Sequence, residues 1–217
     1  MEFDETVRRR RMWRAFEDRP VPAALVDRIL ANARRAPSAG FTQGSAFVVL
    51  EGAEQTELFW RHASDEAWRA RPNWPGLQRA PVIIVPLADR QAYLDRYSEP
   101  DKAAREPGGD RPAAGPQDDR PGAGPQDDGA AWPVPYWLVD TAFATMLMLL
   151  TATDAGLGAL FFRLHHSEAE LLRALRVPDG YQPIGALAIG WPAPDRPSPS
   201  LARGRRPAAE VIHRGGW

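Results

Sequence analysis

The sequence predicts an α+β domain, a central sheet carrying helices on its faces. Two short and continuous apolar runs, APVIIVPLA (80–88) and PIGALAIGW (183–191), have the character of strands covered on both sides. Between them WLVDTAFATMLMLL, from Trp137 to Leu150, is apolar nearly all round, as a helix buried on most sides would be. Segments of helical period alternate with strand-like runs along a chain of 217 residues, enough for one large domain with a proper core.

Taken in order, VPAALVDRILANARRAPSAG reads as a helix opened by Pro22, with Leu25, Val26, Ile29, Leu30 and Ala33 on one face and Pro37 closing it. Ala46 to Leu50 is a short buried strand, and AEQTELFWRHASDEAWRAR is one amphipathic helix carrying Leu58, Phe59 and Trp68. Ala80 to Ala88 is a central strand. From about Tyr97 to Trp132 the pattern gives way to Pro, Gly, Ala and Asp, and the nine residues RPAAGPQDD from Arg111 recur as RPGAGPQDD from Arg120. The unit has no apolar face to stack, which excludes a solenoid and points to a tandem duplication in a flexible insert at about 98–131. This is the one interruption expected in a single domain spanning 1–217. GALFFRL is a strand, SEAELLRAL opens a helix with Ser167 and Glu170 at capping-box spacing, and Pro183 to Trp191 is a last core strand. The remaining PAPDRPSPSLARGRRPAAEVIHRGGW has too little periodicity to pack on itself and is expected to lie as an arm across something else.

Composition removes several function classes. Cysteine is absent, so disulfides, thiolate metal sites, iron-sulfur clusters and cysteine nucleophiles are excluded. A net charge of -1 argues against a general nucleic-acid binder. The Arg run continues into MWRAFEDRP where a secretory or twin-arginine signal would need an apolar stretch, and the most apolar run is short for a membrane span and holds Asp140. A cytoplasmic protein without membrane or nucleic-acid partners is the expectation. His165 and His166, adjacent on a strand, point opposite ways and lack further ligands, so no metal is expected.

Three segments carry candidate chemistry. RRRRMWRAF (8–16) places four arginines in a row with Arg14 beyond, and LARGRRP places Arg203, Arg205 and Arg206 near the other terminus. Each is a solvated charge run or, if folding unites them, half of a guanidinium pocket for a phosphate, which Arg binds in bidentate fashion. APSAGFTQG (36–44) is an ordinary turn or a loop whose backbone, with Ser38 and Gln43, hydrogen-bonds a flat polar ligand. AGLGAL (155–160) is a helix C-cap or a close approach of backbone to a ligand, and it lacks the spacing and context of a dinucleotide fingerprint.

In this order the segments resemble the flavin-dependent nitroreductase family. Its R-R-S-x-R-x-F/Y is matched by Arg10, Arg11, Met12, Trp13, Arg14, Ala15 and Phe16, and its A-P-S-x-G-N-x-Q-P-W by Ala36 to Ser45. Its G-L-G, aromatic strand and P-x-G-Y-x-P are matched by Gly156 to Gly158, Phe161 and Phe162, and VPDGYQP; its R-R-P-L-E-E-V-V-H-R-x-x-W is matched by RRPAAEVIHRGGW. The likeness covers nearly the whole chain except the repeat-bearing insert.

The resemblance implies a nitroreductase-like central mixed sheet flanked by helices, with FMN held at the interface of a homodimer and the C-terminal arm exchanged between subunits. By that likeness Arg10, Arg14, Arg203 and Arg205 hold the flavin phosphate, with Arg11 and Met12 alongside. Ser38, Ala39, Gly40 and Gln43 line the ribityl chain and pyrimidine edge, and Leu157 with Gly158 offers backbone to the ring. NADH or NADPH is the implied donor and a nitroaromatic or quinone the implied acceptor, in ping-pong order, with no obligatory catalytic side chain because the flavin carries the chemistry. The chain departs from the family at Met12 (serine), Phe41 (asparagine), Gly44-Ser45 (Pro-Trp) and Arg163-Leu164, where many members have a glycine near N5. Arg163 either admits an anionic substrate or obstructs nicotinamide, or is a solvent-facing strand end. An FMN oxidase or dehydrogenase of a biosynthetic intermediate, and a non-catalytic flavin- or anion-binding protein, are the rival readings.

Overall fold

The computed structural model describes residues 2–70, 73–103, 132, 134–164 and 166–217. The tandem repeat, His165 and nearly all of the expected insert lie outside the described residues. Five strands form one sheet: β1 (Ser45–Glu51), β2 (Val82–Asp89), β3 (Gly158–Phe162), β4 (Tyr181–Pro183) and β5 (Ala186–Gly190). They lie in the order β1-β2-β5-β3, with β4 pairing β2 off that path.

The mixed sheet implied by the family resemblance is corrected. Every ladder between the described strands is antiparallel. The parallel pairing that exists is the isolated bridge from Met12 to Ala159, beside the edge strand β3. The N-terminal segment there alternates bulky cations with aromatics and extends for too few residues to become a strand.

Why β2 is central follows from its side chains. Successive residues of a strand face opposite sides, and Ile83, Val85 and Leu87 enter one core cluster while Val82 and Ile84 enter the other. Strand β5 divides in the same way, Ala186 and Ala188 against Leu187 and Ile189. Both faces therefore need helices. On one side pack α2 (Ala23–Ala33) and α7 (Tyr136–Asp154); on the other α3 (Gly52–Ala63) and α8 (Glu168–Ala174). Trp60 stacks on Phe162 at 5.7 Å and on Trp68 at 5.8 Å, filling the α3 side with rings. The helix α7 is the described helix long and apolar enough to cross a membrane, yet it packs on α2 and the sheet, with Asp140 buried in it.

Several elements differ from the expectation. The helix expected over 53–71 breaks into α3 and α4 (Glu66–Ala70). Ser64 turns its hydroxyl back to the Trp60 carbonyl (2.5 Å), and Asp65 Oδ1 accepts the Trp68 N–H (2.6 Å), starting a new helix. The capping box at Ser167 does not form: the residue sits at φ 31°, and its hydroxyl caps nothing. The run 183–191 splits at Gly185, where a side chain would fall 2.6 Å from the Phe162 carbonyl oxygen. Helices α5 (Arg90–Ser98) and α6 (Pro100–Ala103) occupy a stretch with no apolar stripe; Tyr93 is the buried residue of α5. At the chain start, α1 (Phe3–Arg9) takes Arg8 and Arg9 into its last turn, where Arg9 pairs with Glu5 across an exposed surface.

Leu187 is fully buried at the centre of the sheet. Its truncation in Leu187→Ala is expected to cost about 2–5 kcal/mol of unfolding free energy, measured by urea denaturation.

Candidate functional site

The arginine segment runs along the β3 edge. Trp13 donates its N–H to the Ala159 carbonyl (3.0 Å), Met12 bridges Ala159, and Phe16 is fully buried beside Pro192. Gly158 makes this close approach possible: a Cβ there would sit 2.9 Å from Trp13 Cγ. The structure thus sets Met12 and Trp13 against the backbone of Gly158 and Ala159. Arg11 lies over the Trp13 ring at 3.5 Å, and Arg10 caps α1. Arg14 is tied down instead. Its N–H donates to Asp195 Oδ2 (2.9 Å), its guanidinium reaches the Met12 carbonyl (3.4 Å), and it faces Trp74 (5.0 Å) together with Arg196 (4.4 Å). Among the described residues Arg10, Arg11, Arg203 and Arg205 have no carboxylate partner. A guanidinium without an internal counter-ion is a donor that suits a phosphate.

The loop Ser38–Gln43 is held at the other end of α7. Asp140 Oδ2 accepts both the Ala39 N–H (2.7 Å) and the Tyr93 hydroxyl (2.7 Å), and Thr141 Oγ1 meets Ser45 Oγ at 2.8 Å. Ser38 Oγ accepts the Gln43 N–H (2.7 Å), and Arg96 Nε donates to the Gly40 carbonyl (2.9 Å). Arg96 also grips Asp101 with both nitrogens, which holds that carboxyl below its ordinary range. Burial first, then the bond to Asp140, raises the Tyr93 phenol far above its ordinary value, so it stays a neutral donor. The departure at Gly44 has a physical reason here: a Cβ at that position would fall 2.6 Å from the Tyr93 ring and 3.1 Å from the Asp89 carbonyl oxygen.

Within the chain the two groups are not brought together. Asp140 and Asp154 are separated by fourteen residues of a single helix, a rise of roughly 20 Å, with the Ser38–Gln43 loop at one end and the Met12–Gly158 contact at the other. Nor does folding carry Arg203 and Arg205 to Arg10 through any hydrogen bond: among the described residues, those of 197–217 are internal to the arm, such as Arg206 to Glu210. All of 201–217 is exposed. Arg163 is exposed just past β3. The sequence reading missed Asp140, Tyr93, Arg96 and Trp74. A lone acid inside the apolar run 137–150 was the signal for Asp140.

An α+β sheet protein with an arginine run beside one sheet edge and a polar loop pinned by the long core helix is the class these features define. Residues 7–108 match the model of the Nitroreductase family. A Methanothermobacter thermautotrophicus protein named as an NADH dehydrogenase/NAD(P)H nitroreductase is 24% identical over 196 residues, covering 89% of this chain and 78% of its own. Among solved structures, a nitroreductase family protein from Clostridium difficile 630 superposes over 100% of both chains with a TM-score of 0.67 at 21% identity. NfrA2 of B. megaterium superposes with a TM-score of 0.71 at 19% identity, over 100% of this chain and 76% of its own. Residues 7–108 are thus similar to the Nitroreductase family, and the fold is shared with these solved structures.

Gly44→Ala drives a methyl group into the Tyr93 ring, and a loss of about 1–3 kcal/mol is expected in thermal or urea unfolding.

Proposed function

We propose that the chain works as a homodimer that binds FMN and uses NADH or NADPH to reduce nitroaromatic, quinone or similar small acceptors. The observation that carries this reading is the divided site. Residues that the family likeness assigns to one flavin stand at opposite ends of α7. A second copy in antiparallel contact along α7 would set the loop of one subunit against the arginines of the other, with two equivalent sites.

The surface supports such a contact. On α7 Phe143 and Met146 are 46% and 47% exposed, with Val139, Leu147 and Leu150 half-buried between them, and α1 adds Phe3 and Val7. An apolar stripe of this kind is an interface more often than a solvated face. The arm adds exposed Leu201, Val211, Ile212 and Trp217, which suit burial on a partner. In that arrangement Arg203 and Arg205 would join Arg10 at the phosphate.

When bound, FMN supplies a carrier that takes hydride from the nicotinamide and passes two electrons to the acceptor. The chain's own residues bind and orient it. Arg10, Arg11, Arg203 and Arg205 neutralise the phosphate, with Arg14 held beside them by Asp195 and Trp74. Ser38, Ala39, Gly40 and Gln43 provide polar edges for the ribityl chain and pyrimidine, and Leu157 with Gly158 provides backbone for the ring. The Met12 side chain has no hydroxyl for the phosphate, so the arginines carry that task alone. The whole chain acts as one domain, with 98–131 as an insert.

The purified protein is expected to be yellow or to take up FMN, and to bleach anaerobically with NADH or NADPH. A colourless protein that refuses FMN would sink the proposal, and flavin that stays oxidised with both nucleotides would point to a different redox reaction. Arg10→Ala and Arg205→Ala are each expected to weaken FMN binding by about 10-fold or more while the protein stays a folded dimer, as read by fluorescence titration and light scattering. Phe143→Glu with Met146→Glu is expected to yield folded monomers that no longer retain FMN. Dimers with bound flavin would defeat the shared site.

A further inference from the structure

The Ser38–Gln43 loop is an improbable shape for its sequence. Gly40 has φ 63°, but Phe41 (56°) and Gln43 (57°) also lie in the left-handed region, which a side chain other than that of glycine disfavours. The Phe41 ring is 76% exposed, so its own packing does not hold it there. Such strain persists where the surroundings over-determine it, and it gathers at functional sites.

What over-determines it is a buried carboxylate. Asp140 is 5% exposed, in a helix whose neighbours are apolar, and one of its oxygens takes both the Ala39 N–H and the Tyr93 hydroxyl. These are charge-assisted bonds, shorter and stronger than neutral ones. The Tyr93 ring lies flush against Gly44, so the same pair governs both ends of the loop. A buried carboxyl is held in an apolar helix only where donors satisfy it, and here both donors come from the loop and from the helix beside it. Ala39 opens a single 3-10 turn, Ala39–Phe41, in which its N–H has no partner, and Asp140 supplies one from a distant helix. The arrangement makes sense if what it secures is the shape of the loop.

We propose that Asp140 is a positioning residue, whose buried carboxylate, seconded by Tyr93, preorganises the Ser38–Gln43 loop for the cofactor. The inference rests on the FMN reading above. It assigns Asp140 no contact with the flavin and no proton transfer. Its effect is transmitted through the Ala39 amide and the Tyr93 hydroxyl.

The test compares Asp140→Leu, Asp140→Asn and Tyr93→Phe with the wild-type protein. The readouts are FMN affinity, visible circular dichroism of the bound flavin, and thermal stability of the flavin-free protein. Asp140→Leu is expected to weaken FMN binding by at least about 10-fold and to alter the flavin dichroism, with flavin-free stability lowered because the Tyr93 hydroxyl and Ala39 N–H lose their acceptor; Asp140→Asn, which keeps an acceptor, separates the loss of loop shape from the loss of stability. Asp140→Asn keeps an acceptor oxygen and is expected to recover part of the affinity; Tyr93→Phe spares the Ala39 bond and is expected to lose less than Asp140→Leu. Wild-type affinity and dichroism in Asp140→Leu would overturn the proposal. If that variant does not fold, hydrogen exchange at the Ala39 amide of the wild-type protein decides: slow exchange supports the assignment, and exchange at the rate of an open loop overturns it. A wild-type protein that takes no FMN counts against the cofactor reading, and the Ala39 exchange then decides this one separately.

Discussion

The burial of β2 on both faces is the constraint on which the rest depends. A strand whose alternate residues enter two separate cores needs helices on each side, and α7 is the long member of one side. Its inward stripe packs on β2, β3 and α2. Its opposite stripe, at Phe143 and Met146, stays about half exposed among the described residues. In between, Asp140 and Thr141 are directed at the loop before β1. One helix thus fixes the core, presents an apolar face and shapes a polar loop, and a change at any of these faces is felt at the others.

How much of this is readable from sequence depends on the range of the contact involved. The runs 80–88 and 183–191 announce strands because two-sided burial leaves no polar alternation, and the helix over Trp137–Leu150 announces itself by the same uniformity. Breaks are another matter. Nothing local distinguishes Ser64-Asp65, where two side chains turn back on the backbone, from a continuing amphipathic helix. At Ser167 a capping-box pattern is present, but the backbone takes a left-handed turn and the cap is lost. Helix α5 escapes notice because it buries one residue of nine, Tyr93.

The candidate site divides in the same way. The arginine segment, the 36–44 loop and the Gly156–Gly158 turn are visible as motifs because their residue types are unusual together. Their supports are not. That Arg14 is drawn to Asp195 and Trp74, or that Ala39 leans on Asp140, are contacts between residues far apart in the chain, and no spacing rule reports them. The separation of the motifs along α7 is likewise a property of the fold.

The contact between Gly44 and Tyr93 ties the choice of residue at one position to that at the other. A ring at 93 requires a bare α-carbon at 44, and a side chain at 44 requires a smaller neighbour at 93. Alanine at 44 with tyrosine at 93 meets a clash, and glycine at 44 with a smaller residue at 93 leaves a void, so the two positions act as one packing unit. Since the Tyr93 hydroxyl is also bonded to Asp140, a substitution at any of the three positions is felt by the other two.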